Sequence, residues 1–178
     1  ENAIRANGYY TMLHAAQTAA EIHRISQTWN AVGLIVMGLQ ANQCRELMQV
    51  TRKPIVFVDC YFDQGERYNN VGLDDEGGMR QMTEHLLKLG HRNMLFVGDQ
   101  PVLWGVDARR LRGHQQALEA AGLAWQETHY FCVSKDRKRR GEDYQRMLEY
   151  VRMLGCTVCL FISDYYAVEA IDFLLDQG

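Results

Sequence analysis

Short, almost wholly apolar segments alternate with amphipathic helical segments along the entire chain. This alternation restricts the possible folds more than any other feature. "VGLIVMG" and "PIVFVD" leave no polar position for a solvent-facing side, so each reads as a strand buried on both faces. Such strands, separated by helices, build a parallel sheet with helices on both sides. Strands are expected at Tyr9–Leu13, Val32–Met37, Pro54–Asp59, Val71–Leu73, Asn93–Gly98, His129–Val133 and Thr157–Ile162. Helices are expected near Thr18–Trp29, Ala41–Val50, Glu76–Leu89, Ala108–Ala121, Gly141–Leu154 and Asp164–Leu175. "ENAIRANG" reads as the tail of an earlier helix, stopped by Gly8. The expected class is α/β with doubly wound parallel sheets. No strand precedes the first helix and none follows the last, which reads as truncation at both ends.

Bulk properties exclude several functions. A net charge of -3 over 178 residues gives no electrostatic footprint for nucleic acid or an anionic membrane. No apolar run is long enough to span a bilayer. The cysteines, Cys44, Cys60, Cys132, Cys156 and Cys159, are odd in number and scattered, as in a reduced, cytoplasmic protein. Cys156 and Cys159 form a CxxC with no second pair, so no metal is expected; "CTVCLFIS" reads as a strand entry. Neither a GxGxxG nor a P-loop occurs, and no Ser/His/Asp or Cys/His set is evident. No cofactor and no enzyme activity are therefore expected.

"WGVDARRLRGHQQAL" poses an electrostatic problem. With Asp107 as N-cap, Arg109, Arg110 and Arg112 fall in the first two turns, where the helix dipole disfavours cations. Leu111, His114, Leu118 and Ala121 set the apolar face of this helix. Arg109 and Arg112 then point toward water, while Arg110 sits at the border between core and solvent. Arg110 also lies at the carboxyl ends of the strands, where open α/β sheets bind ligands. Its planar fork suits a carboxylate, a phosphate or sugar hydroxyls; the bland alternative is a snorkelling surface arginine.

Three stretches together resemble one family. "VGLDDEGGMRQMTEHLLKLGHRNMLFVGD", "DARRLRGHQQALEAAGL" and "TVCLFISDYYAVEAIDFLLDQG" occur in the order and spacing of the effector-binding domain of LacI/GalR-type regulators. The resemblance implies a two-lobed, periplasmic-binding-protein-like fold with the crossover at Gly90–His91. Residues 1–90 would be the N-terminal lobe, lacking its first strand. Residues 91–178 would be the C-terminal lobe, lacking its last strands. The family's helix-turn-helix DNA-binding module would precede this region and is not in this chain.

The resemblance also implies a site between the lobes for a small polar effector, such as a sugar. Arg110 matches the family's arginine, and a polar ligand would then offset its charge. Ser163–Asp164 match the family's Asn-Asp at a strand end, with Ser163 shortening the reach; Asp164 can contact hydroxyls and cap its helix. Asp74 and Asp75 match the acid-amide pair, with helix capping as the alternative role. Asp59 and Cys60 end a strand where some members approach their effector. Trp104 is a candidate for stacking on a sugar ring or for packing. The basic run Lys135–Asp143 is read as a solvated loop entering a helix, in preference to a phosphate contact. Partners implied are the effector, operator DNA through the absent domain, and a second copy in a homodimer, with Cys44, Leu47 and Met48 as candidate contacts. The alternative function is a transport-type sugar-binding protein.

Overall fold

The structure, a computed structural model, describes residues 2–61, 67–100 and 105–176. The chain forms two compact units, Glu1–Gly72 and Leu73–Gly178.

The first unit contains α1 (Asn2–Ala6), α2 (Ala19–Thr28), β1 (Leu34–Met37), α3 (Ala41–Val50), β2 (Ile55–Val58) and β3 (Asn70–Val71). Its sheet has the order β1-β2-β3 with both pairings parallel. Local chemistry sets the helix ends. Thr18 Oγ1 accepts from the Glu21 N–H at the start of α2. Beyond its far end, the Lys53 ammonium donates to the Ser26 and Ala31 carbonyls at 2.9 and 2.7 Å, where the dipole favours a cation. Phe57 of β2, Val36 of β1, Ala19 of α2 and Cys44 and Leu47 of α3 form the core.

Three expectations for this unit need correction. Tyr9–Leu13 is not a strand; Tyr10 and Leu13 are 88% and 94% exposed. Apolar residues occupy both alternating sets of positions there, so no buried face selects a pairing register. The strand β1 is not buried on both faces, since Ile35 and Met37 are exposed opposite buried Val36. Cys44 and Leu47 are fully buried within this unit's own core, so they cannot serve as contacts for a second copy.

The second unit contains α4 (Asp75–Lys88), β4 (Met94–Gly98), α5 (Gly105–Ala120), a 3-10 turn (Glu127–His129), β5 (Tyr130–Cys132), α6 (Arg140–Leu154), β6 (Val158–Phe161) and α7 (Asp164–Asp176). Its sheet has the order β5-β4-β6, again parallel. Alternation along β4 builds two separate core layers. Met94 and Phe96 pack with Met79 and Leu86 of α4 and Leu111 of α5. Leu95 and Val97 pack with Tyr144 and Met147 of α6 and Ala170 of α7. This is the two-faced layering that an all-apolar strand requires.

Helices α4 and α5 pack against each other directly. Gly113, in the middle of α5, makes this possible. A Cβ at that position would overlap the Glu76 carbonyl oxygen and lie 3.0 Å from the Arg80 amide nitrogen. Alongside it, Thr83 Oγ1 donates to the Met79 carbonyl and pairs with His114 Nδ1, both at 2.9 Å. A crossover at Gly90–His91 would group α4 with the elements before it, whereas this packing groups it with the elements after it.

Candidate functional site

Helix α5 begins at Gly105, so Asp107 lies inside its first turn rather than at the N-cap. There it accepts from Gln100 Nε2 at 3.1 Å. Burial, followed by the nearby Asp99 carboxylate, pushes its carboxyl above the ordinary value; Arg110 and Gln100 pull it back.

The cations of α5 are matched chiefly by α4. Arg110 Nε and Nη2 each lie 2.9 Å from Asp75 Oδ1, and Nη1 donates to the Ile162 carbonyl just beyond β6. Asp75, the first residue of α4, has a side chain only 3% exposed, against 28% for Arg110. Arg112 lies 3.5 Å from Glu76 and is largely exposed. A local carboxylate therefore offsets Arg110, which corrects the expectation that a ligand alone would do so. Carboxylates in the first turn of α4 also satisfy that helix's own dipole.

Arg109 is half-buried rather than solvent-facing. The reason lies in Gly113 and Ala117, both buried. They extend the packed face beyond the stripe drawn through Leu111, His114 and Leu118, and Arg109 lies one turn before Gly113. Ala121, expected on the apolar face, is exposed just past the end of the helix.

Arg110 opens onto a groove of about 690 Å³ in the second unit. Asp74, Asp75, Arg110, Ser163 and Asp164 line its polar end; Met79, Met82, Leu86, Val158 and Leu160 line its apolar body. Asp74 is exposed and caps α4, accepting from the Gly77 N–H at 3.0 Å. Asp164 is exposed at the start of α7, where Asp164 Oδ1 and Ser163 Oγ both accept from the Tyr165 N–H. Five of the residues singled out in the sequence thus meet in one groove. Asp59 belongs to the first unit; it is exposed at the end of β2 with a φ of 53°. Cys60 is buried there, its thiol donating to the Leu39 and Val58 carbonyls. Trp104 lies outside the described residues.

Three cations of the basic run have carboxylate partners. Arg137 and Arg140 both pair with Glu169 of α7, and Lys135 lies 4.0 Å from Asp99. Burial raises the Glu169 carboxyl, but hydrogen bonds from Tyr165 and Arg140 outweigh it and hold it below its ordinary value. Sequence reading missed that Arg140 is buried, with its guanidinium over the Tyr165 and Tyr166 rings. It missed the Ile162 carbonyl as well, since a backbone acceptor leaves no mark in a sequence. Among the described residues, no three His, Cys, Asp or Glu side chains gather into a metal site. No described helix is long and apolar enough to cross a membrane.

An arginine fork, a hydroxyl and carboxylates thus gather in one groove beside a parallel sheet of an α/β fold. All 178 residues match one family, the periplasmic binding proteins and sugar-binding domains of the LacI family, and the chain belongs to it. It is 41% identical over 64 residues to the HTH-type transcriptional regulator CelR of Thermobifida fusca, a stretch that is 35% of this chain and 18% of that protein. It is 32% identical over 85 residues to the arabinose metabolism transcriptional repressor of Halalkalibacterium halodurans, 48% of this chain and 22% of that one. The matched stretches are thus about a fifth of these relatives' lengths. Among solved structures, a LacI-family regulatory protein from Chloroflexus aggregans has a TM-score of 0.80 at 19% identity, covering 98% of this chain and 64% of that chain. A CelR–cellobiose complex has a TM-score of 0.77 at 21% identity, covering 98% and 54%. These similarities establish the fold.

Proposed function

We propose that this chain is the effector-sensing domain of a LacI-type transcriptional regulator. It binds a small polyhydroxylated metabolite, a sugar or sugar derivative, at the polar end of the second unit's groove. The observation that carries this reading is the meeting of the Arg110 fork with Asp74, Ser163 and Asp164 at the carboxyl ends of the strands. A guanidinium supplies donors and exposed carboxylates supply acceptors, which together match the alternating demands of sugar hydroxyls. Ligand binding would shift the protein between two conformations and so alter operator affinity through a separate DNA-binding domain, in a cytoplasmic homodimer. The curated relatives are transcriptional regulators, which favours this reading over a transport-type binding protein.

The test is a thermal-shift screen of neutral sugars, cellobiose and arabinose among them, followed by titration calorimetry. A bound sugar raises the melting temperature by mass action. Arg110→Lys keeps a cation beside Asp75 but loses the planar fork, and should weaken the best ligand by about tenfold or more. A screen with no stabilising sugar, or an Arg110→Lys variant with unchanged affinity, would refute the proposal.

A further inference from the structure

Among the described residues, the polar end of the groove has one cation in its lining, Arg110, against three carboxylates, Asp74, Asp75 and Asp164. That cation is already matched. Asp75, nearly inaccessible to water, takes both Nε and Nη2, and the Ile162 carbonyl takes Nη1. The fork is therefore tethered from two elements, the start of α4 and the end of β6, and its orientation is settled before a ligand arrives. Its remaining N–H groups can still donate, but the positive charge behind them is neutralised within the protein.

This arrangement favours one ligand charge over another. A phosphate monoester brought to the groove would find that cation paired and would face the exposed carboxylates of Asp74 and Asp164. An uncharged hydroxyl meets no such penalty, because it donates to the carboxylates and accepts from the fork.

We propose that Asp75 is the specificity-determining residue of this groove: by holding and neutralising Arg110, it makes the site accept an uncharged polyol and reject a phosphorylated one. The inference rests on the effector reading above. Asp75 acts through Arg110, so it is a positioning residue.

The test compares neutral sugars, their phosphate monoesters and inorganic phosphate on the wild-type protein, Asp75→Asn and Glu84→Gln, by thermal shift and calorimetry. The wild type should bind a neutral sugar at least about tenfold more tightly than its phosphate ester, and inorganic phosphate should not stabilise it. Asp75→Asn keeps an acceptor and the side-chain shape but frees the guanidinium charge. It should reduce the ester's disadvantage by about tenfold and make inorganic phosphate stabilising. Glu84→Gln removes an exposed charge from α4 outside the groove's lining, so it should leave that ratio within about twofold.

The readout is the ratio of neutral to phosphorylated affinity, which a merely structural role would leave unmoved. If Asp75→Asn weakens both ligands alike, the proposal is overturned. If the wild type binds the ester as tightly as the sugar, it is overturned without recourse to any variant, so a failure of Asp75→Asn to fold does not protect it. If no ligand stabilises any of the proteins, both this proposal and the effector reading fall. If no sugar binds, yet inorganic phosphate stabilises Asp75→Asn and not the wild type, Asp75 is confirmed as the charge gate and the effector reading alone falls.

Discussion

Gly113 of α5 and the Glu76 carbonyl of α4 approach so closely that no side chain fits between them. Gly113→Ala must therefore move backbone, a neighbour that cannot swing aside. Overpacking of this kind costs about 1–3 kcal/mol, and a backbone obstacle puts this site at the upper end. Gly141→Ala on α6 is the control, since nothing lies within 4 Å of its added carbon. It should be neutral or stabilising by a few tenths of a kcal/mol, as alanine suits a helix better than glycine. Urea unfolding of both variants is the measurement, and equal stabilities would contradict the packing described.

Arg110 and Arg112 should differ in what they contribute to stability, although they stand two residues apart. Arg110→Ala leaves the buried Asp75 carboxylate without its closest cation, and should cost about 1–3 kcal/mol, discounted for the arginine's partial exposure. Arg112→Ala breaks a longer, exposed pair and should cost less than about 0.5 kcal/mol. Adding Asp75→Asn to Arg110→Ala should recover part of the loss. Chemical denaturation of the three variants decides this, and equal losses for the two arginines would count against it.

The packed arginine cluster also shows where sequence reading succeeds. The side chains that meet at the groove were nameable because acids, hydroxyls and arginines at strand ends carry visible chemistry. Helix α3 has the bounds its pattern indicates, Ala41–Val50, and six of the seven expected strands survive within a residue or two. The failures share a cause: they depend on what is absent from a residue or on its neighbours. Arg109 was misplaced because Gly113 packs by having no side chain. Tyr9–Leu13 has strand-like residues but no partner among the described strands. Asp107 was one turn out as a cap because α5 starts earlier than its apolar pattern does.

The buried His114 should make stability depend on pH. Burial, helped by His129, lowers its pKa from 6.5 to about 4. Above pH 6.5 the imidazole is neutral in both states and the proton costs nothing. As pH falls from 6.5 toward 4, the unfolded chain takes up a proton that the folded chain refuses, so stability drops; below about 4 the loss levels off. Between pH 7 and 5 the loss should be about 2 kcal/mol for this group. His114→Gln should abolish that component in urea titrations at the two pH values; an unchanged slope would assign the dependence elsewhere.

The thiols should react in an order set by access and ionisation. Cys132 is the exposed one; Cys44, Cys60 and Cys156 are buried. Burial, then hydrogen bonding with Cys60, pushes the Cys44 thiol up to about 12, which suppresses its thiolate. Iodoacetamide on the native protein should modify Cys132 first, and Cys44 and Cys60 only with unfolding. Mass-spectrometric mapping that found early labelling at Cys44 would contradict the core described for the first unit.

The strand β4 has both edges paired, by β5 and β6, and both faces covered by helices, with all five of its residues buried. Its amide protons therefore have no local route to solvent: neither fraying at an edge nor the lifting of one helix layer frees them. Deuterium should reach them only when the whole unit opens. The slowest-exchanging amides of Met94–Gly98 thus act as an internal clock for the global unfolding of the second unit, readable under native conditions and without denaturant.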